Sequence, residues 1–243
     1  MFANNIKMKR FFLLFFSFFS TLNYCYCQQI KEFNACAVEK LINKDSLGAI
    51  EFFSRVIEVN PKDSFAYFDR GFIKDNLKDY KGAIVDYSKQ IEVDKGSVDS
   101  YFLRGLAKIK LNDFEHAILD FDKVVELEPS NVDAFYNRGI SNAALSHFAT
   151  AILDYDQALR MRPDYAEVFD SRANAKEKMK DDTGALSDYD HAIALDPLNK
   201  KYYLQRGALE LRLHRKKNAC ADLKKYKELG GTLSDPKLNK ICK

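Results

Sequence analysis

Alanine stands at positions 49, 83, 117, 151, 185 and 219, six times at a step of 34 residues. Sixteen residues before each comes an aromatic, Phe33, Tyr67, Tyr101, Phe135, Phe169 and Tyr203. Four residues after each comes Phe53, Tyr87, Phe121, Tyr155, Tyr189 and then Leu223. A period this long constrains the fold strongly, because each copy must be one structural unit whose apolar face is covered by its neighbours. Pro61, Pro129, Pro163 and Pro197 close four of the copies, while Lys95 and Gly231 take that slot in the others.

Within a copy, apolar and small residues fall three and four apart in two segments, separated by a polar break such as residues 111–113. That spacing predicts two helices per copy. A small residue four positions after the aromatic, as at Gly105, lets the two helices approach closely. No alternating run rich in Val, Ile and Thr is bounded by turn residues, so strands have no support. The expected fold class is all-α, a helical-repeat solenoid of about six helix-turn-helix units with a capping helix at the C-terminus.

Aromatic, Gly, Ala, aromatic and Pro in this order over 34 residues resemble the tetratricopeptide repeat. The stretches at 137–139 (NRG) and 151–159 (AILDYDQAL) are similar to its bacterial forms. The resemblance covers about residues 30–229, as repeats at about 30–63, 64–97, 98–131, 132–165, 166–199 and 200–229, followed by a cap at 230–243. Departures are Lys40 and Asn43 in the first repeat, where apolar residues would help, and Asp182 in the fifth, where Tyr80, Phe114 and Phe148 stand.

The resemblance implies a module that binds a protein or peptide on the surface lined by the first helix of each repeat. The lining it implies is Phe68, Phe72 and Asp75, then Phe102, Leu106 and Ile109, then Tyr136, Asn137, Ile140 and Ala143. The fifth repeat changes the stripe to Asp170, Asn174 and Glu177, and Leu204, Ala208 and Leu211 resume it. The expected occupant is a peptide or helix, its apolar face on repeats two to four and a polar or basic segment near the fifth. The alternative is that these aromatics close the superhelix on itself. Co-chaperones of the family that grip a C-terminal carboxylate open with a Lys and an Asn. Here Asn34 and Val38, or Phe68 and Phe72, hold those places, so that activity is not implied.

A second period accompanies the first. Arg70, Arg104, Arg138, Arg172 and Arg206 are 34 apart, and so are Asp86, Asp120, Asp154, Asp188 and Asp222. The first repeat has Cys36 and Phe52 in those slots and lacks both charges. Joint presence and joint loss predict that each arginine pairs with the aspartate of its own repeat, satisfying two charges too expensive to bury alone. Matched acids leave little free positive charge for an anionic ligand.

The N-terminus differs in kind. Lys7, Lys9 and Arg10 precede an uncharged run from Phe11 to Leu22. This is the pattern of a secretory signal over residues 1–27, cleaved before Gln28, with Met1 or Met8 as its start. The run falls short of the roughly 20 apolar residues needed to span a bilayer. A lipid anchor at Cys25 is disfavoured by bulky Tyr24. Export to a periplasmic or extracellular location is the expectation.

Without residues 1–27 the chain holds 35 bases and 35 acids, and a basic nucleic-acid footprint is missing. Residues 200–243 nevertheless carry 13 bases and 4 acids. A structural role at the cell envelope, through this cationic end and without a groove ligand, is the alternative function. Export places the remaining cysteines, Cys36, Cys220 and Cys242, in an oxidising compartment. Cys36 and Cys220 sit on helices too far apart in the stack to meet, so Cys220 with Cys242 is the expected bridge. His116, His147, His191 and His214 occupy four different repeat positions and build no metal spacing. No nucleophile elbow, phosphate loop or zinc-protease pattern is present. A scaffold without catalytic activity or cofactor is the reading.

Overall fold

The computed structural model describes residues 28–233. Residues 1–27, expected to be a secretory signal, and residues 234–243 of the expected C-terminal cap, with Cys242, lie outside the described residues. The fold class is all-α: the described residues form twelve helices and no strand. The first, α1, covers residues 28–42. Next come α2 (Ser46–Val59), α3 (Ser64–Asn76), α4 (Tyr80–Val93), α5 (Val98–Lys110), α6 (Phe114–Leu127) and α7 (Val132–Ala144). The last five are α8 (Phe148–Met161), α9 (Ala166–Lys178), α10 (Asp182–Leu195), α11 (Lys200–Arg212) and α12 (Lys216–Glu228). From α3 on, first helices begin at 64, 98, 132, 166 and 200, every 34 residues.

Local chemistry sets these bounds. Side chains of Asp63, Asp79, Asn131 and Asp181 accept from the backbone N–H of the third residue on, at 2.9–3.0 Å, and so satisfy donors that the first helical turn leaves open. Second helices end just before Pro61, Pro129, Pro163 and Pro197, because the residue preceding a proline is disfavoured in the helical region. First helices end differently. Lys44, Lys78, Asn112, Ser146, Lys180 and His214 each take a left-handed conformation, φ 59 to 65°, one per copy and none of them glycine. At Lys78 the reversal lets the Asp79 N–H reach the Lys74 carbonyl at 2.8 Å, closing the helix end.

The chain divides into two compact units after Leu111. In the first, α3 packs along α4, and α2 and α5 lie against that pair. In the second, α7 packs on α8, α9 on α10 and α11 on α12, with α6 on α7, α8 on α9 and α10 on α11. The periodic alanines at 49, 83, 117, 151, 185 and 219 are all 0% exposed, and the aromatics four residues later are equally buried. Gly139 shows why the preceding small residue is needed: a Cβ built there would stand 2.6 Å from the Tyr155 ring.

Candidate functional site

Two sets of side chains recur on these helices, an ion-pair ladder and the first-helix stripe. In the ladder Arg70 donates through Nε and Nη2 to the two carboxylate oxygens of Asp86, at 3.0 and 2.6 Å. Arg138 holds Asp154, Arg172 holds Asp188 and Arg206 holds Asp222 in the same two-pronged way. The aspartates are buried and the guanidiniums half-buried. Arg104 and Asp120 fall in different units; Asp120 is buried within the second.

In four of the five copies the aromatic three residues before the arginine lies under its guanidinium. Arg70 stands 5.8 Å from the Tyr67 ring centre, Arg104 5.5 Å from Tyr101, Arg138 5.3 Å from Phe135 and Arg172 5.4 Å from Phe169. Cation and ring face attract, and the apolar body of the ring shields the pair from water. Burial works against the charge on Arg138 and Arg172, and the aspartate bonds outweigh it, so both are held above the usual arginine range.

Sequence reasoning missed the third donor. Nη1 of each arginine turns back sixteen residues to the second helix of the preceding copy. Arg70 reaches Ser54 at 2.9 Å and Arg104 reaches Ser88 at 3.0 Å. Arg138 reaches Asp122 at 2.7 Å, Arg172 reaches Asp156 at 2.6 Å, and Arg206 reaches Asp190. The signal was present, since positions 54, 88, 122, 156 and 190 all carry a hydrogen-bond acceptor. One arginine therefore ties three helices.

The first-helix stripe is half-buried in both units. In the first unit Phe68 leans on Tyr87, ring centres 6.1 Å apart, while Phe72 one turn on is 46% exposed. Phe102, Leu106 and Ile109 on α5 are half-buried. In the second unit Tyr136 packs between Tyr155 at 6.1 Å and Tyr165 at 5.2 Å, with Ile140 and Ala143 against the same core. Asn137 turns its amide onto the Asp133 carbonyl at 2.7 Å.

The polar stretch of the stripe is engaged by the chain itself. Lys201 on α11 sits 2.7 Å from Asp170, Gln205 donates to Asn174 at 3.1 Å, and Arg212 meets Glu177 at 3.0 Å. The Tyr189 hydroxyl adds a 2.6 Å bond to Glu177. The basic segment expected of a partner near the fifth repeat is thus supplied by α11. Arg212 also pairs with Asp182 at 2.7 Å, so the carboxylate that replaces an aromatic there has its own cation.

Cys36 is half-buried on α1 as a free thiol, and Cys220 is half-buried on α12. Among the described residues no helix is long and apolar enough to cross a membrane.

Two tetratricopeptide-repeat family models match the sequence, one over residues 66–96 and one over 102–166. No curated protein matches. Among solved structures, MamA residues 41 to the end from Desulfovibrio magneticus RS-1 superposes with a TM-score of 0.67 at 20% identity, over 69% of this chain and 94% of that one. YrrB, described as a TPR protein with an unusual peptide-binding site, gives 0.63 at 19% identity, over 76% and 94%. A tetratricopeptide repeat protein from Parabacteroides merdae ATCC 43184 gives 0.54 at 16% identity, over 88% and 98%.

Proposed function

Because the chain is a tetratricopeptide-repeat protein, we propose that it is a scaffold for protein partners that holds an apolar peptide or helix on the stripe of α3 and α5. The observation that carries this reading is Phe72, a large apolar side chain left 46% exposed in mid-helix one turn on from the half-buried Phe68, with Leu106 and Ile109 half-buried at the matching positions of α5. Phe68 is seated against Tyr87, so the ring a partner would meet is already fixed and little side-chain entropy remains to be lost on binding. YrrB supports the reading only as a similar fold whose own description includes a peptide-binding site.

The same reading has the chain exported, with residues 1–27 removed and Cys220 joined to Cys242, and assigns it no catalytic step and no cofactor. N-terminal sequencing of the exported protein should begin at Gln28. A gain of two hydrogens on reduction, mapped to the peptides of Cys220 and Cys242, would establish the bridge. For the scaffold itself, a Phe72→Ser, Ile109→Ser variant of unchanged helicity should lose the partners that the parent chain captures. Equal capture by both would overturn the site.

A further inference from the structure

The ladder aspartate has a second cation in some copies. Lys74 Nζ lies 2.7 Å from Asp86 Oδ2, and Lys176 Nζ lies 2.8 Å from Asp188 Oδ2. Asn142 offers an amide to Asp154 at 3.2 Å from the same position, four residues after the arginine. In the last copy that position is Glu210. Asp222, held by Arg206 alone from the first helix, therefore has a carboxylate at the position from which Asp86 and Asp188 receive an ammonium.

Glu210 is only 6% exposed. Its Oε1 accepts a 3.3 Å bond from Asn218, and its Oε2 has no hydrogen-bond partner. Arg215 Nη1 stands 3.7 Å from Oε2, beyond hydrogen-bond reach. A buried carboxylate oxygen in that state is unfavourable until a donor meets it. Beside it opens a pocket of about 320 Å³ lined by Asp190, Arg206, Glu210, Asn218, Ala221 and Asp222. Three carboxylates and the Arg206 guanidinium line it, and the Arg215 guanidinium stands at ion-pair distance from Glu210, so the site keeps an excess of one negative charge within a stretch of chain that is otherwise strongly basic.

We propose that this pocket is a socket for a primary ammonium group, that of a lysine side chain from another polypeptide segment, seated as Lys74 and Lys176 are seated in their own copies. An ammonium has three N–H donors and no acceptor, which suits Glu210 Oε2 and Asp222 Oδ2 together. A metal ion suits it less, since among the described residues no three His, Cys, Asp or Glu side chains converge as ligands.

The test is a titration of the isotope-labelled chain with N-acetyl-lysine methylamide, read as amide shifts by NMR, with the ε-acetylated probe as the neutral control. Saturable shifts at Glu210, Asn218 and Ala221 with the first probe only are expected. Glu210→Lys, which builds the ammonium into the chain, should abolish those shifts and raise Tm by roughly 2–4 °C. A parallel chain with Lys237→Gln, Lys240→Gln and Lys243→Gln separates the two sources of lysine. If this chain takes the probe and the parent does not, the socket is filled by the protein's own terminus. Failure of both chains to take the probe overturns the proposal, as does a Glu210→Lys variant that melts lower than the parent.

Discussion

Arg206 holds both carboxylate oxygens of Asp222, through Nε at 2.9 Å and Nη2 at 2.6 Å, across sixteen residues of chain. Removing one partner strands a buried charge, at about 3–5 kcal/mol, whereas replacing both by apolar residues of similar volume is close to neutral. Arg206→Ala should therefore lower Tm by roughly 6–20 °C, and the Arg206→Leu, Asp222→Leu pair by less than half as much. Equal losses in thermal melts would show that the two residues do not act as a unit.

Gly139 gives a prediction whose sign opposes helix propensity. Alanine is the better helix former by about 1 kcal/mol, yet its Cβ would press on the Tyr155 ring at 2.6 Å. Overpacking of this kind costs about 1–3 kcal/mol. Gly139→Ala should melt below the parent, and a rise in Tm would mean that the Tyr155 ring moves freely.

The left-handed turn residues are a reserve of stability. A non-glycine residue in that conformation is disfavoured by roughly 1–2 kcal/mol, part of which glycine returns as unfolded-state entropy. Lys180→Gly and His214→Gly should each raise Tm by a few degrees, and Lys180→Val should lower it. Denaturant midpoints that leave all three variants at the parental value would contradict this.

Alkali should unfold the protein through its tyrosines. Burial, and then the Asp133 carboxylate, push the Tyr165 phenol up to about 12. Burial raises Tyr87, Tyr155, Tyr189 and Tyr202 as well. The fold keeps these phenols protonated, so their contribution is complete below the unfolded value near pH 10 and is lost as pH climbs towards 12. Tyrosinate absorbance and helical circular dichroism should change together above pH 10. Full ionisation with the helices intact would refute it.

How much of this was legible follows from what repeats. The 34-residue step located the helices, because buried alanine and aromatic positions must recur wherever the same hairpin does. The arginine and aspartate series located the ladder from joint loss in the first copy. The turn residues stayed hidden, since Lys78, Asn112, Ser146, Lys180 and His214 share a backbone angle but no side-chain chemistry. Asp182 read as a packing fault because its cation, Arg212, lies thirty residues away and belongs to no period.

The backward reach of Nη1 makes the two units unlike in their response to solvent. In residues 28–111 it ends on neutral hydroxyls, Ser54 and Ser88; in residues 112–233 it ends on the part-exposed carboxylates Asp122, Asp156 and Asp190. Dissolved salt screens the second kind of joint and barely touches the first. A briny medium would thus slacken the later copies while the earlier ones keep their grip, so ionic strength decides which end of the protein frays first.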